Sequence, residues 1–314
     1  MPAEHLHAPL IDRMPAVKGR LEAEIPLARF TWFKVGGPAE VLFRPDDEAD
    51  LAAFLAGCPG DVPVMVMGNA SNLLVRDGGV RGVVIRLGRP FADIRMDGNV
   101  VQAGGGAADL NIARAARDAG LAGLEFLAGV PGTAGGAVFM NAGAYGCEVK
   151  DVFVSCRTVD RQGVARDVDL AGMDFAYRRS ALDGDAIVTA VRLRGEPGKM
   201  AEIEARMSDI QSARELSQPV RTPTGGSTFK NPDGSAAWEL IEAAGCRGLR
   251  RGQAVVSEQH CNFLVNDGGA TAADIEALGE EVRRRVKVDS GATLEWEIRR
   301  VGDPVGPMAR EVSP

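Results

Sequence analysis

The sequence predicts an α+β fold. Short, often β-branched apolar runs lie between glycine clusters. Helical stretches carry clear end signals. The two kinds of segment mix without a regular βαβ alternation, which disfavours a doubly wound sheet. The runs VPVMVMG (62–68), GVVIRL (82–87), AIVTAVRLR (186–194) and NFLVN (262–266) read as strands with tight turns. Glycine supplies 39 of the 314 residues, in patches at 36–37, 78–82, 104–106, 129–146, 225–226 and 268–269, between which the apolar runs fall.

The helices are justified by their ends. DEADLAAFLAG begins with acidic residues after Pro45 and stops at Gly57. DLNIARAARDAG takes Asp109 as its candidate N-cap and ends at Gly120, and SAAWELIEAAG takes Ser235 and ends at Gly245. TAADIEALGEEVRRRV opens on Thr271 with Asp274 three residues on, the spacing of a capping box. MAEIEARMSDIQSARELSQ (200–218) is a long polar helix ending before Pro219, either a connector or a surface helix. LEWEIRRV alternates as a strand, with Leu294, Trp296 and Ile298 on one side and Glu295, Glu297 and Arg299 on the other.

Composition narrows the function classes. A net charge of -7 argues against general nucleic-acid binding, although a local basic cluster can still hold an anion. No apolar run is long enough for a membrane helix, and the N-terminus lacks the apolar core of a signal peptide, so a cytoplasmic protein is expected. Five cysteines at irregular spacing, with no C-x-x-C pair, fit reduced thiols. His5 and His7 form a lone HLH near the terminus, and no metal site is expected.

The usual nucleotide motifs fail. There is no G-x-x-x-x-G-K-[ST], and AGGGAADLN (103–111) has Asp109 where a dinucleotide turn needs glycine. MGNASNLLVRDGG (67–79) reads either as an anion-binding turn, with Ser71 and Asn72 as side-chain donors, or as a plain hairpin-like turn. LEFLAGVPGTAGGAVFMNAGAYG (124–146) carries six glycines and almost no charge, which suits backbone packed against a flat or diphosphate ligand, or a tight core loop. In TGGSTFKNP (224–232), Ser227 looks like a nucleophile, yet His260 is the one plausible base and there is no G-x-S-x-G elbow.

Taken in order, FTWFKVGGPAE (30–40), GNASNLLVRDGG (68–79), LEFLAGVPGTAGGAVFMNAGAYG (124–146), YRRS (177–180), GGSTFKNP (225–232), VSEQHCNFLVNDGGATAADI (256–275) and LEWEIRRVG (294–302) resemble the UDP-N-acetylenolpyruvoylglucosamine reductases. The resemblance spans roughly residues 28 to 302. It implies a vanillyl-alcohol-oxidase-like FAD-binding fold of two α/β subdomains, followed by a C-terminal α+β substrate domain. The boundaries expected are 1–87 and 88–218 for the FAD-binding subdomains and 219–302 for the substrate domain, with a tail at 303–314. Strand 293–302 is a candidate to return to the first.

The implied reaction passes electrons from NADPH through FAD to the enolpyruvyl double bond of a UDP-sugar, giving UDP-N-acetylmuramate for peptidoglycan synthesis. FAD would meet Gly68, Asn69, Ala70, Ser71 and Asn72 in one loop and Gly129, Pro131, Gly132, Gly135 and Gly136 in another. By the resemblance Arg178, in YRRS, matches the cation for the substrate carboxylate, a part that a planar guanidinium suits because it can bind a carboxylate bidentately. Arg179 is left structural.

Alternation alone does not choose between Glu295 and Glu297, whereas the family pattern picks Glu297, working best protonated. Ser227 matches the proton donor, with Lys230, Asn231 or a water to reload it. Asn231, Arg247 and His260 match substrate-binding positions, although a structural histidine fits His260 nearly as well. Only Tyr145 and Tyr177 occur, both inside motifs, so the chain resembles the shorter form of the family, without a tyrosine-bearing closing loop. A monomer or weak oligomer is expected. The competing readings are another flavin oxidoreductase, a serine hydrolase built on Ser227, and a non-enzymatic sugar-nucleotide binder.

Overall fold

A computed structural model describes residues 8–182 and 184–305, so His5 and His7 lie outside the described residues. In chain order the elements that position the site are β1 (Arg20–Pro26), β2 (Pro38–Arg44), α1 (Glu48–Gly57), β3 (Val64–Val66), β4 (Leu73–Val75), β5 (Val80–Ile85), β6 (Ile94–Asp97) and β7 (Val100–Gly104). Then come α2 (Asp109–Asp118), α3 (Ala134–Phe139), β8 (Phe153–Val159), β9 (Ala165–Asp169), β10 (Ile187–Arg194) and α4 (Met200–Ser217). The chain finishes with β11 (Thr224–Ser227), α5 (Ala237–Ala243), β12 (Arg250–Arg251), β13 (Ala254–Val256), β14 (Phe263–Asn266), α6 (Ala272–Ser290) and β15 (Arg299–Val301). The four apolar runs became β3, β5, β10 and β14, and the fold is α+β as the sequence predicts.

Contacts divide the chain into two compact units. The first comprises 1–25, 40–69 and 82–212. It holds most of a four-stranded sheet, ordered β1-β2-β5-β3, in which β3 runs parallel to β5 with Val64 beside Val83. It also holds a five-stranded antiparallel sheet, ordered β9-β8-β10-β7-β6. Phe43 and Phe54 stack at 4.2 Å in the core under the first sheet, with Leu51, Val83 and Ile85. Ile112 and Ala116 of α2 and Val138 of α3 pack with Val101 and Val191 under the second. α4 buries only Ile203 and Met207, and the boundary between the units falls within it, after Ser212.

The second unit comprises 26–39, 70–81 and 213–314. Its antiparallel sheet is ordered β11-β14-β13-β12. α6 lays Ile275, Leu278, Val282 and Val286 into a core shared with Phe33, Leu74, Phe229, Leu264 and Ile298. β15 pairs parallel with β4, Arg299 beside Leu73, which brings the end of the described chain back to its first hundred residues.

Helix ends follow local chemistry where the cap is local. Asp47 caps α1 by accepting from the Asp50 N–H at 2.7 Å. Thr271 and Asp274 form the expected capping box on α6. Two expected caps differ. α2 starts one residue early, so Asp109 is its first helical residue and caps nothing. α5 starts after Ala236 instead of Ser235, and Asn231 Oδ1, further back, accepts the Ala237 N–H at 2.9 Å. The LEWEIRRV strand is shorter than its alternation suggests. Only Arg299–Val301 joins a ladder, and Trp296 makes an isolated bridge to Phe229. Among the described residues no helix is long and apolar enough to cross a membrane.

Asp50 is 3% exposed and accepts three backbone N–H bonds, from Lys18 at 2.8 Å, Gly19 at 2.9 Å and Asp46 at 3.0 Å. Burial pushes its carboxyl up, but the three donors outweigh burial and hold it below the ordinary value. Its contribution is therefore present above about pH 3.9 and lost as pH falls through the lower folded-state value. Asp50→Ala should cost about 2–3 kcal/mol near neutral pH by urea unfolding, because it strands buried donors. The gap from wild type should close in acid.

Candidate active site

The two glycine loops are held by close contact with each other and with neighbouring segments. Asn69 Nδ2 donates to Gly132 O at 3.1 Å, and a β-carbon on Gly68 would stand 2.6 Å from Thr133 Oγ1. The 129–136 segment is docked by bonds from Ala134 N to Ala107 O and from Gly135 N to Gly105 O, both 2.9 Å. None of Gly129, Gly132, Gly135 and Gly136 has a positive φ. Three of them lie in close approach to other parts of the chain. A β-carbon at Gly129 would meet the Tyr145 ring at 2.8 Å, at Gly132 Asp109 Oδ2 at 2.7 Å, and at Gly135 the Gly105 carbonyl at 3.0 Å. Packing alone therefore accounts for more of this glycine cluster than the sequence suggested. Gly136 is the exception, exposed and with nothing nearer than Thr133 Oγ1 at 3.7 Å.

Asp109 lies under this loop, 1% exposed, with neither carboxyl oxygen partnered among the described residues. Burial pushes its carboxyl well up, which favours the neutral form.

Arg178 sits in the first unit, on a two-residue turn closed by Ala176 N to Arg179 O at 3.0 Å and Arg179 N to Ala176 O at 3.1 Å. Its backbone is left-handed (φ 55) and its Nη2 donates to Gly143 O at 3.4 Å. The guanidinium stands 5.0 Å from the centroid of the exposed Tyr177 ring. Arg179 pairs with Asp174 on the surface.

Ser227 and Glu297 belong to the second unit, and backbone bonds bring their segments together. Glu297 N donates to Thr228 O at 2.9 Å, and Lys230 N donates to Glu295 O at 2.9 Å. Ser227 is half-buried at the end of β11, opposite Phe263. Gly226 (φ 81) lies where the β11–β14 register shifts, and the Phe33 ring occupies the space a β-carbon on Gly225 would need. Among the described residues no hydrogen bond is seen from the Ser227 hydroxyl to a histidine or other base.

Thr228 N donates to Asn262 O at 2.7 Å. Asn262, 4% exposed, then takes both sides of Phe229, accepting its N–H at 3.0 Å and donating to its carbonyl at 2.8 Å. The segment around Glu297 is anchored by Trp296, whose ring lies on Gly279 and whose Nε1 donates to Glu280 at 2.8 Å. Asn72 Nδ2 donates to Glu297 O at 3.1 Å. The two carboxylates of this strand differ in setting. Glu295 has a 73% exposed side chain and pairs with Lys230 at 3.3 Å, whereas Glu297 is half-buried. Lys230 is thus engaged by Glu295.

Asn231, Arg247 and His260 gather around α5. Asn231 caps it, Arg247 is gripped by Glu242 near its end and donates to Glu258 O, and Trp238 on its surface stands 6.5 Å from the His260 ring. His260 Nδ1 accepts the Asn262 N–H at 3.2 Å, leaving Nε2 as the ring's donor. Burial holds this imidazole below its ordinary value, so it is neutral at pH 7. Sequence reasoning missed Asn262 and Glu242, which hold the site residues from behind. Neither lies in a spacing pattern that marks such a role. Among the described residues no cluster of His, Cys, Asp or Glu could hold a metal ion.

Comparison with known proteins bears on this arrangement. Residues 218–301 match the family described as UDP-N-acetylenolpyruvoylglucosamine reductase, C-terminal domain, and residues 39–169 match the FAD binding domain. The UDP-N-acetylenolpyruvoylglucosamine reductase of Parvibaculum lavamentivorans is 59% identical over 96% of this chain and 97% of its own length. The chain belongs to the UDP-N-acetylenolpyruvoylglucosamine reductase family. The reductase of Azorhizobium caulinodans is also 59% identical, over 94% of this chain and 96% of its own. Among solved structures, the reductase of Thermus caldophilus superposes with a TM-score of 0.80 at 36% identity, covering 90% of this chain and all of that one.

The two glycine loops suit the flavin this family domain is described as binding. Neither 68–72 nor 129–136 carries a charged side chain, and Gly136 is exposed, so neither loop would set a carboxylate of its own against a diphosphate. Asn262→Ala should destabilise the protein by about 2–3 kcal/mol in urea unfolding, since it strands both polar groups of buried Phe229.

Proposed function

We propose that this chain, like its family, is an NADPH-dependent, FAD-mediated reductase that converts the enolpyruvyl group of UDP-N-acetylglucosamine enolpyruvate to UDP-N-acetylmuramate for peptidoglycan synthesis. Family membership carries the reaction. The observation that carries the residue roles is the setting of Ser227, a half-buried hydroxyl with no hydrogen bond to a base among the described residues, on a strand bonded through Thr228 to Glu297.

Gly68–Asn72 and Gly129, Pro131, Gly132, Gly135 and Gly136 would hold FAD, which when bound would supply a hydride to the terminal methylene carbon of the substrate. Negative charge then develops on the adjacent carbon and spreads into the substrate carboxylate. Arg178 meets that carboxylate with a planar fork of donors, stabilising charge where it grows. Ser227 gives its proton to the carbanion-like carbon. A hydroxyl is a poor acid at neutral pH, but toward so strong a base position suffices. This is why the missing histidine is no obstacle, and why a nucleophilic serine is the poorer reading.

Glu297 supports the same carboxylate as a hydrogen-bond donor. The ion pair of Glu295 with Lys230 and its exposure favour Glu297 for that part. Asn231, Arg247 and His260, around α5, contact the UDP-sugar, His260 as a neutral donor through Nε2. The substrate-binding part is residues 219–302 and the FAD-binding parts are 1–87 and 88–218. The protein works in the cytoplasm as a monomer or weak oligomer.

With Ser227→Ala, NADPH should still reduce the flavin at the wild-type rate. Reoxidation by the enolpyruvyl substrate should slow by about two to four orders of magnitude in stopped flow. Equal loss in both half-reactions would refute the proton-donor role. In the same assay Glu297→Ala should slow reoxidation at least about tenfold, while Glu295→Ala stays within about twofold of wild type.

A further inference from the structure

Four residues other than glycine adopt a left-handed backbone in two short segments: Asn141 (φ 43) and Tyr145 (φ 54) in one, Asp174 (φ 37) and Arg178 (φ 55) in the other. Such conformations persist only where surrounding bonds over-determine them. The residue joining these two segments is Asn141, which is fully buried. Its Nδ2 donates to Ala176 O at 3.1 Å and to Glu148 Oε2 at 2.9 Å, and its Oδ1 accepts the Lys150 N–H at 3.0 Å. Ala176 is the base of the turn that carries Arg178. Glu148 lies opposite Gly143, whose carbonyl receives the Arg178 guanidinium. Ser180 Oγ, donating to Phe139 O at 2.8 Å, ties the far side of the same turn to the same segment.

We propose that Asn141 is the positioning residue for Arg178. One amide fixes both the turn that presents the guanidinium and the loop whose carbonyl orients it, so the fork is aimed before substrate arrives. This rests on Arg178 binding the substrate carboxylate. Buried as it is, Asn141 touches no substrate, and its effect passes through Arg178. Asparagine fits for two reasons. It tolerates the left-handed backbone better than other side chains, and it supplies two donors and an acceptor at once. Asparagine to glycine keeps the backbone and deletes the bonds, so it isolates the side chain's contribution.

The test uses the FAD-loaded enzyme. Asn141→Gly should leave flavin reduction by NADPH within about twofold of wild type and slow reoxidation by the enolpyruvyl substrate about 10- to 100-fold, the cost of a misaimed group. Equilibrium binding should weaken for the enolpyruvyl substrate and stay unchanged for UDP-N-acetylglucosamine, which lacks the carboxylate. In an Arg178→Ala background the same substitution should add less than about twofold, because its route is already gone. Should the glycine variant not fold, Asn141→Asp keeps the backbone preference and removes the donors, with the same expected pattern.

Equal loss in both half-reactions, equal weakening for both ligands, or an undiminished effect in the Arg178→Ala background would each overturn the proposal. Arg178→Ala alone separates the failures. If it leaves reoxidation unchanged, the carboxylate reading fails and the proposal falls with it. If it slows reoxidation while Asn141→Gly does not, only the positioning claim fails.

Discussion

The site loops depend on one steric constraint: segments cross more closely than a β-carbon allows. Thr133 Oγ1 stands where a side chain on Gly68 would begin, Asp109 fills that place at Gly132, and the Phe33 ring fills it at Gly225. At these crossings the backbones can bond directly, as Gly135 N does to Gly105 O, and the short Asn69 side chain reaches Gly132 O, so the loops are fixed without long side chains. The consequence is chemical as well as geometric. Loops built this way present amide dipoles instead of charges, the surface that suits a diphosphate. The same economy explains a chain of -7 net charge that handles anionic ligands.

Much of this was legible in the sequence, and the parts that were not share a cause. Thr271 and Asp274 made the capping box their spacing announced, because both partners lie within four residues. Ser235 and Asp109 did not cap. α5 is capped by Asn231, and Asp109 is buried against Gly132, a contact that sequence spacing does not encode. The alternation of LEWEIRRV gave the faces correctly, with Leu294 and Ile298 inside, but not the length of the ladder, which the partner strand sets. The glycines of 129–136 read in the sequence as backbone packed against a ligand or as a tight core loop. For three of the four, what approaches is the chain itself. Asn141 was invisible because its role lies in a left-handed φ and in partners as far as Ala176.

Exposure separates two carboxylates that alternation leaves alike. Glu295 and Glu297 share one face of their segment, yet one is solvated and ion-paired while the other is half-buried beside the Thr228 carbonyl. An exposed pair such as Lys230 with Glu295 adds little stability. It does offset the Glu295 charge on the face that Glu297 shares.

The parallel pairing of β15 with β4, and the bond from Asn72 to the Glu297 carbonyl 225 residues later, set an order on assembly. Contacts of such sequence separation close large loops, and their entropic cost falls before their reward. On a ribosome, β4 waits for its neighbour until nearly all of the described chain has emerged. The unit that carries Ser227 and Glu297 is therefore finished last, and a chain interrupted before residue 299 leaves β4 as an unpaired edge.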